Sequence, residues 1–289
     1  MKETFRREAP AKINLALDIL GKRPDGYHAL CGVMQTVSLC DSVELAEGGE
    51  GFTLSMAGFT PPEGRKTLEQ RAAEAFFARL GRAMPPLTVA ITKRTPAYAG
   101  LGGGSADVAA LLRILRDRYA PEMEDTTLES IGAEVGSDMP FCLRGGTALA
   151  EGRGEILTDL PPLPDCWIVL CKPPFPIPTP MLFARADSVA IRHRPDIPGM
   201  RKALENGDLE GVAGRLGNVF EEVLPPECGA VVFAIRDALL AAGAMGAGMS
   251  GSGPTVFGIF REEGLARAAQ KKTLPLGESY AVRPLGKLT

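Results

Sequence analysis

The chain has 289 residues, of which 45% are hydrophobic and 23% charged; this supplies apolar material for about two cores and excludes a disordered or fibrous protein. A formal net charge of −3, with basic residues scattered along the chain, excludes an extended nucleic-acid-binding face. Six cysteines without a Cys-x-x-Cys pair, and only two histidines, His28 and His193, exclude a zinc site of ordinary spacing and read as free thiols in a reducing compartment.

The segment Met1–Glu8 is charged and lacks the apolar core of a secretory signal. Ile13, Leu15, Leu17 and Ile19 then alternate with Asn14, Ala16 and Asp18, the pattern of a half-buried strand. Lys12 and Asn14, at i and i+2, share its polar face. A turn over Gly21–Gly26 carries Pro24-Asp25-Gly26, and three more alternating runs follow at Val33–Leu39, Val43–Leu45 and Phe52–Met56. Leu68–Leu80 has helical periodicity and stops at Gly81.

Leu87, Val89 and Ile91 alternate as a strand, and Val108, Leu111, Leu112 and Leu115 recur at helical spacing. Between them runs Pro96-Ala97-Tyr98-Ala99-Gly100-Leu101-Gly102-Gly103-Gly104-Ser105-Ala106. Gly102, Gly103 and Gly104 lack a Cβ, so the backbone can take positive φ and approach a ligand closely. With Ser105 as the expected N-cap and Asp107 in the first turn, successive amides and the positive end of the helix form a cradle for anions, phosphate above all. The plainer alternative is a turn that only redirects the chain. No Gly-Lys-Ser/Thr follows, so the loop is not a Walker A motif. The dinucleotide fingerprint is also excluded, because no acidic residue ends a second parallel strand.

Leu128–Val135 reads as a short helix closed by Gly136. Gly136-Ser137-Asp138-Met139-Pro140 places Asp138 in a tight loop before a strand expected over Phe141–Ala150. The first half is therefore α+β rather than a regular βαβ array. Pro161, Pro162 and Pro164 mark a boundary, Trp167–Cys171 a strand, and Pro173 to Pro180 a stiff extended segment. Helices are expected near Pro180–Ala186, Met200–Glu205, Leu209–Leu216 and Val231–Ala242. Ala238–Phe260 is uncharged but interrupted by glycines; it divides into a helix end, a strand, a second glycine loop (Gly248-Met249-Ser250-Gly251-Ser252-Gly253-Pro254) and another strand, not a membrane span. A helix and a final strand follow. Taken singly, Lys12 reads as an exposed strand lysine, Asp138 as a turn aspartate, and the second loop as a hairpin connection.

Together, Pro10–Leu17, Pro96–Ala109 and Gly248–Gly258 resemble, in order, the three signatures of the GHMP kinase superfamily. Pro10-Ala11-Lys12-Ile13-Asn14-Leu15, Arg23-Pro24-Asp25-Gly26-Tyr27-His28, Gly136-Ser137-Asp138-Met139-Pro140-Phe141, Gly152-Arg153-Gly154-Glu155 and Ile177-Pro178-Thr179-Pro180 narrow the resemblance, over essentially the whole chain, to its members that act on a cytidine diphosphate methylerythritol. The resemblance implies an α+β, two-domain GHMP kinase fold. Residues 1–158 would form an ATP-binding domain of the ribosomal-protein-S5-domain-2-like type, and residues 159–289 a ferredoxin-like α+β domain. It implies a cytoplasmic transferase that uses ATP to phosphorylate the 2-hydroxyl of 4-(cytidine 5'-diphospho)-2-C-methyl-D-erythritol, giving the 2-phosphate and ADP, in the methylerythritol phosphate pathway of isoprenoid biosynthesis. No nucleic-acid or membrane partner is implied, and the expected state is a monomer or weak homodimer.

The residue roles carried by the resemblance are these. Asp138 matches the catalytic base, and Lys12 the lysine beside it. Pro96, Ala97, Tyr98, Ala99, Gly100, Leu101, Gly102, Gly103, Gly104, Ser105 and Ala106 match the ATP loop, with Ser105 a candidate Mg²⁺ contact. Asn14 matches the contact near the acceptor. Tyr27 and Phe183 match the aromatic pair about the cytosine ring, His28 the reader of the base edge, and Thr179, Pro180, Gly251 and Ser252 the remaining frame of the substrate pocket. Three positions depart from the pattern. Ala106 stands where a second serine is common, which leaves Ser105 the single hydroxyl for phosphate or Mg²⁺. Tyr98 stands at a place usually small or aliphatic, either against adenine or over the loop. Cys142 replaces a common aromatic and reads as core packing.

Overall fold

The computed structural model describes residues 3–60 and 66–288; Met1 and Lys2 of the charged N-terminal segment lie outside them. The first half builds β1 (Thr4–Lys22), β2 (His28–Glu47), β3 (Phe52–Ala57), α1 (Leu68–Arg79), β4 (Leu87–Thr92), α2 (Gly103–Tyr119), α3 (Asp125–Val135), α4 (Met139–Arg144), β5 (Thr147–Gly152) and β6 (Ile156–Asp159). The second half builds β7 (Trp167–Lys172), α5 (Thr179–Ser188), α6 (Ile197–Glu205), α7 (Leu209–Ala213), β8 (Gly217–Asn218), α8 (Pro226–Ala241), β9 (Gly246–Met249), β10 (Val256–Phe260), α9 (Glu263–Thr273) and β11 (Glu278–Val282).

One sheet follows the order β3-β4-β2-β1-β8, with β5 and β6 added alongside β2. Its apolar side packs on α1–α4 through Phe76, Val89, Leu111, Leu112 and Ile131, all buried. The other sheet has the order β11-β7-β10-β9 with every pairing antiparallel, which is the ferredoxin-like arrangement. Its two crossover helices, α8 and α9, cover one face around Val232, Ile235, Leu239, Phe260 and Ala266. A third core joins the two sheets, with Ile13 and Leu15 of β1 against Leu170, Phe257 and Ile259.

Several expectations are corrected. The run expected as a strand over Phe141–Ala150 begins as helix α4, which starts with Pro140 in its first turn and is ended by Gly145 and Gly146, both at positive φ; the strand starts only at Thr147. A short unbroken apolar run satisfies helix and buried strand alike, so periodicity could not decide it. Asp138 therefore lies between two helices, α3 and α4, and not before a strand. Val33–Leu39 and Val43–Leu45 are one strand, β2, not two. β1 is not half-buried: from Ala9 to Leu17 both faces are covered, so Lys12 and Asn14 are interior polar residues. α2 starts three residues earlier than expected, with Gly102 in the N-cap position, so Ser105 sits within the first turn and caps nothing. The helix over Leu209–Leu216 ends at Ala213, and β6 was not foreseen. The uncharged stretch to Phe260 divides as read, and among the described residues no helix is long and apolar enough to cross a membrane.

Candidate active site

The first glycine loop is shaped by three residues at positive φ: Tyr98 (52°), Gly100 (74°) and Gly102 (68°). Tyr98 is the one non-glycine residue in this conformation among those described, and its ring is 67% exposed, edge-on to Phe59. The amides of Gly103, Gly104 and Ser105 precede the first bond of α2, Ala106 N–H to Gly102 O at 2.9 Å, and Gly102 offers no side-chain cap. They point from the positive end of a 17-residue helix. A Cβ at Gly104 would meet nothing within 4 Å, so the space beside this residue is open.

Lys12 lies directly beneath this loop. A bulge in the β1–β2 ladder between Pro10 and Lys12 releases the Lys12 amide, which donates to Leu101 O at 2.9 Å. Its aliphatic stem packs against Gly102, where a Cβ would stand 2.9 Å from Cγ. Lys12 Nζ donates to Asn14 Oδ1 at 2.8 Å and lies 3.4 Å from Asp138 Oδ2. The lysine side chain is 6% exposed and the aspartate 39%, so a buried ammonium faces a carboxylate that solvent or a substrate can reach.

The second glycine loop closes the other side. Ser250 Oγ donates to Gly100 O at 2.9 Å and accepts from Asn14 N–H at 3.2 Å, and Gly251 abuts both Lys12 Nζ and Asn14 Oδ1. Lys12, Asn14, Asp138 and both glycine loops thus converge. Beyond them, Thr179 Oγ1 and Ser252 Oγ share a hydrogen bond of 2.6 Å, which ties the start of α5 to the second loop. The His28 ring stacks on Phe183 at 4.5 Å, and His28 Nε2 meets Asp187 Oδ1 at 2.7 Å. Pro180 lies in the first turn of α5, three residues before Phe183. Tyr27 is exposed with the Arg153 guanidinium 5.0 Å over its ring, so the ring found against Phe183 is that of His28. All six cysteines are free thiols, and Cys142 is buried in the α2–α4 core as expected.

Four features escaped sequence reasoning. Arg153 and Ser250 lie inside the Gly152–Glu155 and Gly248–Pro254 segments, whose pattern singles out neither side chain. Asp187 had no local signal. The fourth is a buried charge cluster under the start of α2. Lys93 Nζ bonds Asp41 Oδ2 and, at 2.5 Å, Asp107 Oδ2; Asp41 Oδ1 accepts the Arg94 and Thr95 amides at 2.5 and 2.7 Å. Burial, then the Asp41 charge, push the Asp107 carboxyl up to about 7 against the pull of Lys93. Between the unfolded carboxyl value near 4 and about 7, the folded state holds a proton that the unfolded state has released. Stability therefore falls as pH rises through that window, by at most about 1.4 kcal/mol per pH unit for one proton. Asp107→Asn is expected to flatten this slope in urea unfolding between pH 5 and pH 7; an unchanged slope would place the titrating group elsewhere.

Comparison with known proteins fits this geometry. Residues 67–146 match the GHMP kinases N terminal domain and residues 200–273 the GHMP kinases C terminal domain. The chain belongs to the GHMP kinases. It is 39% identical over 287 residues to a 4-diphosphocytidyl-2-C-methyl-D-erythritol kinase of Geobacillus kaustophilus, with 97% of each chain covered. It is 41% identical over 278 residues to one of Listeria monocytogenes, covering 96% of this chain and 94% of the relative. A crystal structure of 4-(cytidine 5'-diphospho)-2C-methyl-D-erythritol kinase superposes with a TM-score of 0.80 at 31% identity, over 98% of this chain and all of the other. Within the GHMP kinases, the chain belongs to this 4-diphosphocytidyl-2-C-methyl-D-erythritol kinase family. A homoserine kinase of Cytophaga hutchinsonii, at 18% identity and a TM-score of 0.77, shares the fold.

Proposed function

We propose that this kinase transfers the γ-phosphoryl group of ATP to the 2-hydroxyl of 4-(cytidine 5'-diphospho)-2-C-methyl-D-erythritol, in the methylerythritol phosphate route to isoprenoid precursors. The observation that carries the reading is the Lys12–Asp138 pair, 3.4 Å apart beneath the open amides of α2. The hydroxyl is far too weak an acid to ionise at neutral pH. Asp138, set within hydrogen-bond reach, accepts its proton as the oxygen–phosphorus bond forms and the bond to the ADP oxygen breaks. The Lys12 ammonium offsets charge that develops on the attacking oxygen. The amides of Gly103, Gly104 and Ser105 stabilise charge on the transferring group. Residues Pro96–Ala106 are assigned to ATP, and Asn14, Tyr27, His28, Thr179, Pro180, Phe183, Gly251 and Ser252 to the acceptor.

Among the described residues no three acidic, histidine or cysteine side chains converge as a cation cage. That donor set fits a Mg²⁺ that arrives on the triphosphate, with the Ser105 hydroxyl as its protein contact. When bound, the ion neutralises phosphate charge. We assign residues 1–158 and 159–289 to the two domains, and a cytoplasmic monomer or weak homodimer as the working form. The test is phosphorylation by the purified chain, with ATP and Mg²⁺, of the cytidine diphosphate sugar alcohol, homoserine and phosphomevalonate. Turnover is expected with the first alone, and turnover of either other acceptor instead would overturn the reading. Phe183→Ala is expected to weaken the cytidine substrate by about 1–3 kcal/mol, the scale of base–aromatic stacking, with the KM for ATP unchanged. A loss confined to ATP would remove Phe183 from the acceptor pocket.

A further inference from the structure

The second glycine loop is held from behind by two residues that belong to neither glycine motif. β9 is an edge strand: β10 pairs with it on one side, and among the described residues no strand pairs with it on the other. The outward backbone groups at its end would be left without partners there. Asn218 and Glu221 supply them. Asn218 Nδ2, which carries two N–H donors, bonds Met249 O at 2.9 Å and Gly251 O at 2.7 Å, while its Oδ1 accepts Phe220 N–H at 3.0 Å. Glu221 Oε1 accepts Met249 N–H at 2.8 Å. Asn218 is itself fixed, because β8 pairs in parallel with Ala16 and Leu17 of β1, the strand that carries Lys12 and Asn14. It is 8% exposed.

The loop so held forms one wall of the reaction site. A Cβ at Gly251 would stand 3.4 Å from both Lys12 Nζ and Asn14 Oδ1, and 3.1 Å from Gly100 O. A shift of the Met249–Gly251 backbone is therefore felt at Lys12, at Asn14 and, through Ser250, at the ATP loop. We propose that Asn218 and Glu221 are positioning residues for phosphoryl transfer: they replace the missing neighbour of β9 and fix the second glycine loop against Lys12 and Asn14. The inference rests on the assignment of the Lys12–Asp138 site to that reaction. Misplacing a site wall lowers turnover more than it lowers affinity for a nucleotide gripped elsewhere, here by the first loop.

Asn218→Asp is a suitable probe. It keeps an oxygen for the Phe220 amide but turns an acceptor toward two carbonyl oxygens. Glu221→Ala removes the other tie, and Glu221→Gln keeps an oxygen for Met249 N–H. A cavity of about 720 Å³ bordered by Asn218, Glu221, Phe233 and Arg236 gives the altered side chains room. Asn218→Asp and Glu221→Ala are expected to lower kcat about 10- to 30-fold with the KM for ATP within threefold, and Glu221→Gln to retain kcat within threefold. Hydrogen exchange read by mass spectrometry is expected to quicken over residues 248–255 and to stay unchanged in α2 and β7. Unchanged exchange in that segment, or a loss of activity that merely follows global unfolding, overturns the proposal. Exchange needs no substrate. If the unaltered chain fails to phosphorylate the cytidine substrate, the functional reading falls, while exchange still decides what Asn218 and Glu221 hold.

Discussion

Asp138→Asn is expected to lower kcat by about 10³- to 10⁴-fold while leaving ATP affinity within a few-fold, the full effect of removing a general base. The change is isosteric and disturbs little else. The Asp138 side chain makes no capping bond to α4, so the helix loses no cap. What disappears is the charge 3.4 Å from Lys12 Nζ and the capacity to take a proton. An amide can still accept a hydrogen bond from the acceptor hydroxyl, so substrate KM is expected to change little. Steady-state kinetics with calorimetric ATP binding separates the effects. If ATP binding were lost while the bound enzyme turned over normally, Asp138 would belong to the nucleotide site and not to the chemistry.

The second large effect is expected at Gly104. A methyl group there meets nothing in the protein, and the residue is in the first turn of a helix without positive φ. By the rules of helix stability, Gly104→Ala is favourable by about 0.5–1 kcal/mol. The same methyl would occupy open space beside the start of α2. If the triphosphate rests there, a displacement of about 1 Å suffices to lower kcat/KM for ATP roughly 100-fold. A chain that unfolds at slightly higher urea yet uses ATP far less well is the expected result. Unimpaired ATP kinetics would move the triphosphate away from the start of α2.

The parts legible in the sequence were those whose cause is local. The first glycine loop was readable from the run Gly102–Gly104, but only Gly102 of the three takes positive φ; Gly103 and Gly104 are already helical, and the other positive φ values fall at Tyr98 and Gly100. The strand β4 and the helix α1 with its stop at Gly81 followed from periodicity and punctuation, whereas the ferredoxin-like arrangement of the second half was implied by the motif resemblance. The Lys12–Asp138 encounter came from motif resemblance; spacing alone left Lys12 on an exposed strand. Its burial is set by what covers β1, namely α2, α4 and the second loop, and no window around residue 12 contains them. The supports were invisible for the same reason. Asp41 and Lys93 meet across 52 positions, and Asn218 and Gly251 across 33. Each is an ordinary polar residue until the fold removes its water. Helix α4 departs from the strand expected there because Met139-Pro140-Phe141-Cys142-Leu143 fits two periods equally, and its end is set by Gly145 and Gly146 at positive φ, which periodicity does not register.

The pairing of β1 with β8 bears on how the polypeptide acquires its shape during synthesis. β1 borders residues 217 and 218, which follow it by about two hundred positions, and its Ile13 and Leu15 share a core with Phe257, Ile259 and Val282. The chain must be translated through Ile259, and to Val282 for the last of these contacts, before the interior around Lys12 can be sealed. Such distant closures slow folding and leave apolar strands waiting for their mates. Fragments that stop before the last hundred residues are expected to depend on chaperones and to be proteolysed readily, whatever the quality of their own hydrophobic packing.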